Sequence, residues 1–165
     1  MPLTGERVNR LISVIFYIAI TILIVRGGIF TVNYSLESKF YHDFLVQWET
    51  SIMEMSVKKY VWPVFTGDNH VEYMDNLVKS LKVKTVPVPE SNTGKCYVYK
   101  IDRIGFQNEE LFILCFFNRI IVYGISEKTF KKIDIFIDGK NSIDKGKFTG
   151  KADHNSPTLT GVWQL

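Results

Sequence analysis

Residues 11–25, LISVIFYIAITILIV, carry no charge and are bracketed by Arg10 and Arg26. No other stretch limits so strongly what this chain can become. At the helical rise it covers about 22 Å, against a hydrocarbon core of roughly 30 Å. Both arginines can extend their charged heads to the boundary, and Val8, Ile29, Phe30 and Val32 lengthen the apolar run. A helix on the surface of a soluble domain is apolar on one face; this one is apolar all round. Residues 1–34 therefore read as a single-pass membrane anchor. A cleaved secretory signal would need small residues at −3 and −1 of its cut site, and only Gly27 and Gly28 offer them, directly after Arg26. The uncleaved anchor is the favoured reading. Arg7 and Arg10 outweigh the amino-acid charges on the other flank, where Glu37 and Asp43 dilute Arg26 and Lys39. That asymmetry favours a cytoplasmic amino terminus and an exported carboxy-terminal domain.

Helical periodicity resumes beyond the glycine pair. Tyr41, Leu45, Trp48, Ile52 and Met55 recur at steps of four and three, with Phe40 and Phe44 widening the stripe. Lys39, Asp43, Glu49, Glu54 and Lys58 occupy the opposite side, and Pro63 closes the segment. Residues 35–61 are thus expected to form an amphipathic spine helix whose apolar face packs on a sheet. Gly27 and Gly28 each cost about 1 kcal/mol of helix stability relative to alanine, so a hinge or melted turn is expected there.

The rest, within a domain of residues 35–165, is ordinary for a folded core: 46% hydrophobic and 22% charged residues argue against wholesale disorder. Asp68 is expected to cap a short helix that buries Val71, Met74, Leu77, Val78 and Leu81. Strands are expected in CYVYKI, LFILCFF and IIVYGI, with Asn118 and Arg119 as a hairpin turn, and a last strand over residues 159–165. Between them, Ser126 and Gly139 frame a helix that buries Phe130, Ile133 and Ile137; alternation of Ile133, Ile135 and Ile137 as a strand is the rival reading. The fold class is α+β, a spine helix on a small antiparallel sheet at about residues 96–165 whose other face is polar.

Little in the sequence speaks of catalysis. His42, His70 and His154 lack metal-site spacing, there is no phosphate-cradling glycine loop, and the chain does not read as an enzyme. The net charge of +3 is scattered. The lysines at 79, 82, 84, 128, 131 and 132 read as solvated faces and not as a nucleic-acid surface. Cys96 and Cys115 are too few for a disulfide scaffold. They pair across neighbouring strands if the domain is in an oxidising compartment, or remain buried thiols. In DGKNSID, Asp138, Asn141 and Asp144 place three oxygen donors in one loop. Such donors are of the sort calcium accepts, but Asp and Asn are common in plain turns, and an ordinary loop with no cofactor is the favoured reading.

This order of elements resembles the type IV pilins and the pseudopilins of type II secretion. The resemblance rests on the membrane helix continuous with the domain helix, the glycine pair mid-spine, and the carboxy-terminal run YGISEKTFKKIDIFIDGKNSIDKGKFTGK followed by TGVWQL. It implies an inner-membrane subunit with a periplasmic or extracellular domain, whose partners are other pilin-like subunits or envelope assembly proteins. It also implies a spine that melts near Gly27 and Gly28, and it raises the weight of calcium in the loop after Asp138. MPLTG would be the leader, cut after Gly5. The chain departs from the family at one point: the fifth residue after Gly5 is Arg10, where the family carries a glutamate. The alternative is an uncleaved single-pass accessory protein of an envelope complex that binds a partner through its exported domain.

Overall fold

The computed structural model describes residues 5–140, 142–152 and 157–165. Helix α1 runs over Gly5–Lys39 and continues through a π-helical turn, Phe40–Leu45, into α2, Val46–Val57. Every residue from 8 to 28 is exposed in the isolated chain, and the helix is long and apolar enough to cross a membrane. The spine thus ends a little earlier than residue 61. Tyr60 donates its N–H to the Met55 carbonyl, and Lys59 stands at φ 53.

The expected hinge is not where the helix deviates. The helix passes Gly27 and Gly28 unbroken, and the Thr31 hydroxyl donates to the Gly27 carbonyl at 2.9 Å. Glycine weakens a helix by about 1 kcal/mol, but opening backbone hydrogen bonds beside an apolar span costs several. The irregularity falls instead at the π turn, where the Val46 N–H reaches back to the Tyr41 carbonyl. The wider turn lets Phe40, Phe44, Leu45 and Trp48 all bury against the sheet.

After the spine come α3, His70–Val83, and the strands β1, Val98–Ile101, β2, Glu109–Phe116, and β3, Arg119–Ile125. Then follow α4, Glu127–Asp138, β4, Phe148–Ala152, and β5, Leu159–Gln164. The fold is α+β, with a five-stranded antiparallel sheet in the order β1-β2-β3-β5-β4. Strand β4 is an addition to the sequence reading. FTGKA has little strand propensity of its own and is held by pairing with β5, as Phe148↔Trp163 and Gly150↔Gly161.

One sheet face carries Leu111, Ile113, Cys115, Ile120, Val122, Phe148 and Trp163, all buried under the spine and α4. The other face is not polar. Phe112, Leu114, Phe116 and Tyr123 lie on it, and α3 covers them: His70 packs on Phe112 and Tyr123, and Tyr73 on Phe116. The Tyr73 hydroxyl donates to the Cys115 carbonyl at 2.9 Å. Tyr73 takes the buried place expected for Val71, which is exposed. Asn69 and not Asp68 occupies the N-cap of α3; Asp68 instead accepts from the Thr66 hydroxyl.

Local signals are followed closely elsewhere. Ser126 caps α4 by accepting from the Thr129 N–H, and Gly139 ends it in the left-handed region. Ile135 is exposed while Ile133 is buried, as a helix requires. The β2–β3 hairpin turns at Phe117 and Asn118, one residue before the expected pair, because Phe116 pairs with Arg119.

Candidate functional site

The spine carries polar residues on the line of its aromatic stripe. Asn33 and Glu37 lie one turn apart, and Phe40 and Phe44 continue the same line. Both Asn33 and Glu37 are buried, and a buried polar side chain requires partners. They are supplied by the β1–β2 loop. Asn33 makes a reciprocal pair with the backbone of Ile104, donating Nδ2–H to its carbonyl at 3.1 Å and accepting its N–H at 3.0 Å. Arg103, one residue earlier, donates Nε–H to Glu37 Oε1 at 3.0 Å.

Arg103 then reaches across to two further elements. Its Nη1 donates to Glu109, the first residue of β2, and its Nη2 to the Thr129 hydroxyl in the first turn of α4. Thr129 donates its own O–H to Glu109, 2.9 Å from Oε2, and Glu109 also accepts the Ser126 N–H at 3.2 Å. The Arg103, Glu37 and Glu109 side chains are only 3%, 2% and 7% exposed. One guanidinium therefore ties the spine, the loop, the sheet and α4 together, using the planar fork that lysine lacks. Lys128 and Lys132 add longer ion pairs to Glu37 at 3.9 and 4.0 Å.

Asn33, Arg103, Glu109 and Thr129 carry no sequence signal of their own, and Lys128 and Lys132 read as solvated. Arg103 lies in DRIGFQNEE, which reads as a turn, and Glu37 reads as a charge on the membrane flank. The usable signal was position: Asn33 and Glu37 share the helical line of Phe40 and Phe44, so they face the core.

Asp138 accepts the N–H groups of Lys147 at 3.0 Å and Phe148 at 2.9 Å, and Asp134 accepts that of Ser142 at 2.5 Å. These two carboxylates brace the α4–β4 loop. Asp144 is exposed, and Asn141 lies outside the described residues. Burial pushes the Asp134 carboxyl above its ordinary value, with Asp138 adding to the rise and the Ser142 N–H opposing it. Cys115 is buried within β2 and Cys96 precedes β1, where the β1–β2 ladder has not yet begun; both are free thiols. His42 packs on Tyr41 and Phe136, and His70 on Phe65 and Tyr123, so these two imidazoles belong to separate aromatic clusters. His154 lies outside the described residues. Gly5 is the first described residue and opens α1.

A long apolar amino-terminal helix packed on an antiparallel sheet is a pilin-like architecture. Comparison with protein-family models, with curated proteins and with solved structures gives no match for the chain.

Proposed function

We propose that this protein is a structural, non-enzymatic subunit of a membrane-anchored fibre or secretion assembly, pilin-like or pseudopilin-like in its mode of action. The observation that carries the reading is the single spine. One helical rod supplies both the apolar span and the buried face of the domain, and the Glu37–Arg103–Glu109 network clamps the two at their junction. A rod so clamped transmits force and orientation from membrane to domain, which suits assembly better than catalysis. In this reading the chain crosses the inner membrane once, with its domain periplasmic or extracellular. The exposed residues 8–28 meet lipid before assembly and neighbouring helices afterwards.

Intact mass and amino-terminal sequencing of the membrane-extracted protein, together with its recovery in a sheared-fibre fraction, test the proposal. A start at Glu6 with recovery in that fraction supports a processed, assembling subunit. Two observations favour a second reading, an uncleaved accessory protein that acts through its exported domain: Arg10 at the fifth position after Gly5, and the unmelted helix through Gly27 and Gly28. A start at Met1 and absence from the sheared fraction would select it.

A further inference from the structure

The clamp leaves a groove below it, between α1, the β1–β2 loop and α4. It encloses about 380 Å³ and is lined by Arg26, Phe30, Tyr34, Phe106, Lys128 and Lys132, with Glu37 at its inner end. The lysines lie over aromatic rings. Lys128 Nζ is 4.0 Å from the Phe106 ring centre, and Lys132 Nζ is 4.3 Å from that of Tyr34 and 5.8 Å from that of Phe30. Stacking of this kind holds a flexible ammonium in place without neutralising it.

Charge and position together identify an occupant. Glu37 is the acid that lines the groove, and it is engaged by the buried Arg103. Arg103, Lys128 and Lys132 face Glu37 and Glu109, leaving one positive charge in excess before Arg26 is added. The groove therefore suits an anion. Its depth along the spine is set by the apolar run, which Ile29, Phe30 and Val32 carry to residue 32. Headgroup layers are about 5–7 Å thick on each side of the hydrocarbon, which is about four residues of helix. Asn33 to Glu37 fall in that layer, where Lys128 and Lys132 stand 3.9 and 4.0 Å from Glu37, and the long side chain of Arg26 reaches up to it. Tyr34, with Lys132 over its ring, is also a side chain that favours this depth.

We propose that this groove seats the phosphate of an anionic phospholipid from the leaflet on the domain's side, with Lys128, Lys132 and Arg26 as its ligands. The acyl chains would run down the exposed flank of residues 8–25. Binding fixes the rotation of the rod about its axis and the height of the domain above the bilayer. The proposal rests on the reading that α1 crosses a membrane.

The test uses the full chain in detergent micelles, titrated with phosphatidylglycerol or with phosphatidylcholine of the same acyl chains and read by native mass spectrometry. Phosphatidylglycerol is expected to bind at least tenfold more tightly. Each basic side chain at a membrane surface contributes about fivefold, so Lys128→Gln/Lys132→Gln should lose most of that preference. Arg26→Gln, on an exposed stretch of α1, should lose about fivefold and serves if the lysine pair disturbs the fold. Equal binding of the two lipids, or a preference unchanged in both variants, overturns the proposal. Displacement of the lipid by millimolar inorganic phosphate, or a protein dimer formed in place of the lipid adduct, overturns it as well. Flotation with pure phosphatidylcholine liposomes separates the premises: a chain that fails to float refutes the membrane span itself, whereas one that floats without lipid preference refutes the groove alone.

Discussion

Replacing Arg103 by methionine keeps most of its volume and removes its charge, which leaves Glu37 and Glu109 buried without their common partner. Breaking a buried ion pair on one side costs about 3–5 kcal/mol, most of it from the uncompensated charge that remains. Lys128 and Lys132, at 3.9 and 4.0 Å, partly compensate Glu37. Glu109 keeps only neutral donors, the Thr129 hydroxyl and the Ser126 N–H. The expected loss is therefore near the lower end, about 3 kcal/mol. Urea unfolding of the full chain in detergent micelles, followed by fluorescence of the buried Trp48 and Trp163, would read it. With a denaturant dependence of about 2 kcal/mol per molar, the midpoint should fall by about 1.5 M. The triple variant Glu37→Gln/Arg103→Met/Glu109→Gln should recover more than half of that, since buried amides cost less than buried charges. A shift in Arg103→Met below about 0.5 M, which corresponds to an exposed pair, would refute the reasoning. So would a triple variant less stable than the single one.

Three further outcomes follow from the core. Gly124→Ala should lower the stability read by the same unfolding by about 2–4 kcal/mol, because Gly124 stands at φ +79 and an added Cβ would lie 2.7 Å from the Glu110 carbonyl oxygen; a loss under about 1 kcal/mol would contradict that close approach. The Asp134 carboxyl is raised by burial, so the folded chain holds its proton more tightly than the unfolded one. Its contribution to stability is therefore fullest below the unfolded value near 3.8 and is lost as pH rises through the raised folded value. Asp134→Asn should flatten this part of the stability profile, and an unchanged slope would count against the assignment. Burial also pushes the Cys115 thiol well up. Iodoacetamide should therefore label Cys96 alone in the native protein and both thiols in urea, as read by peptide mass, and native labelling of Cys115 would contradict its burial in β2.

How much could be read in advance depends on how local each signal is. The α4 helix was legible because its cap residues, Ser126 and Gly139, act within four residues of the backbone groups they satisfy. The hairpin at Phe117 and Asn118 was legible to within one residue for the same reason, a tight turn between two apolar runs. Strand β4 was not. Its partners lie across a loop in β5, from Ala152↔Leu159 to Phe148↔Trp163, and its own composition does not ask for a strand. The glycine pair misled for a related reason: intrinsic propensity prefers a break at Gly27 and Gly28, whereas packing placed the irregular turn at Phe40–Leu45, where side chains had to meet the sheet.

The sequence alone determined the long apolar rod, the amphipathic stripe beyond it, and the α+β class. These follow from composition and periodicity, which act over neighbouring turns whatever the rest of the chain does. Only the tertiary structure decided the clamp. Glu37 and Arg103 are 66 residues apart, and neither position announces a partner at that range. The sheet must first form and lie against the spine. Burial then makes each of these charges intolerable without the other, and one arginine comes to join rod, loop, strand and helix.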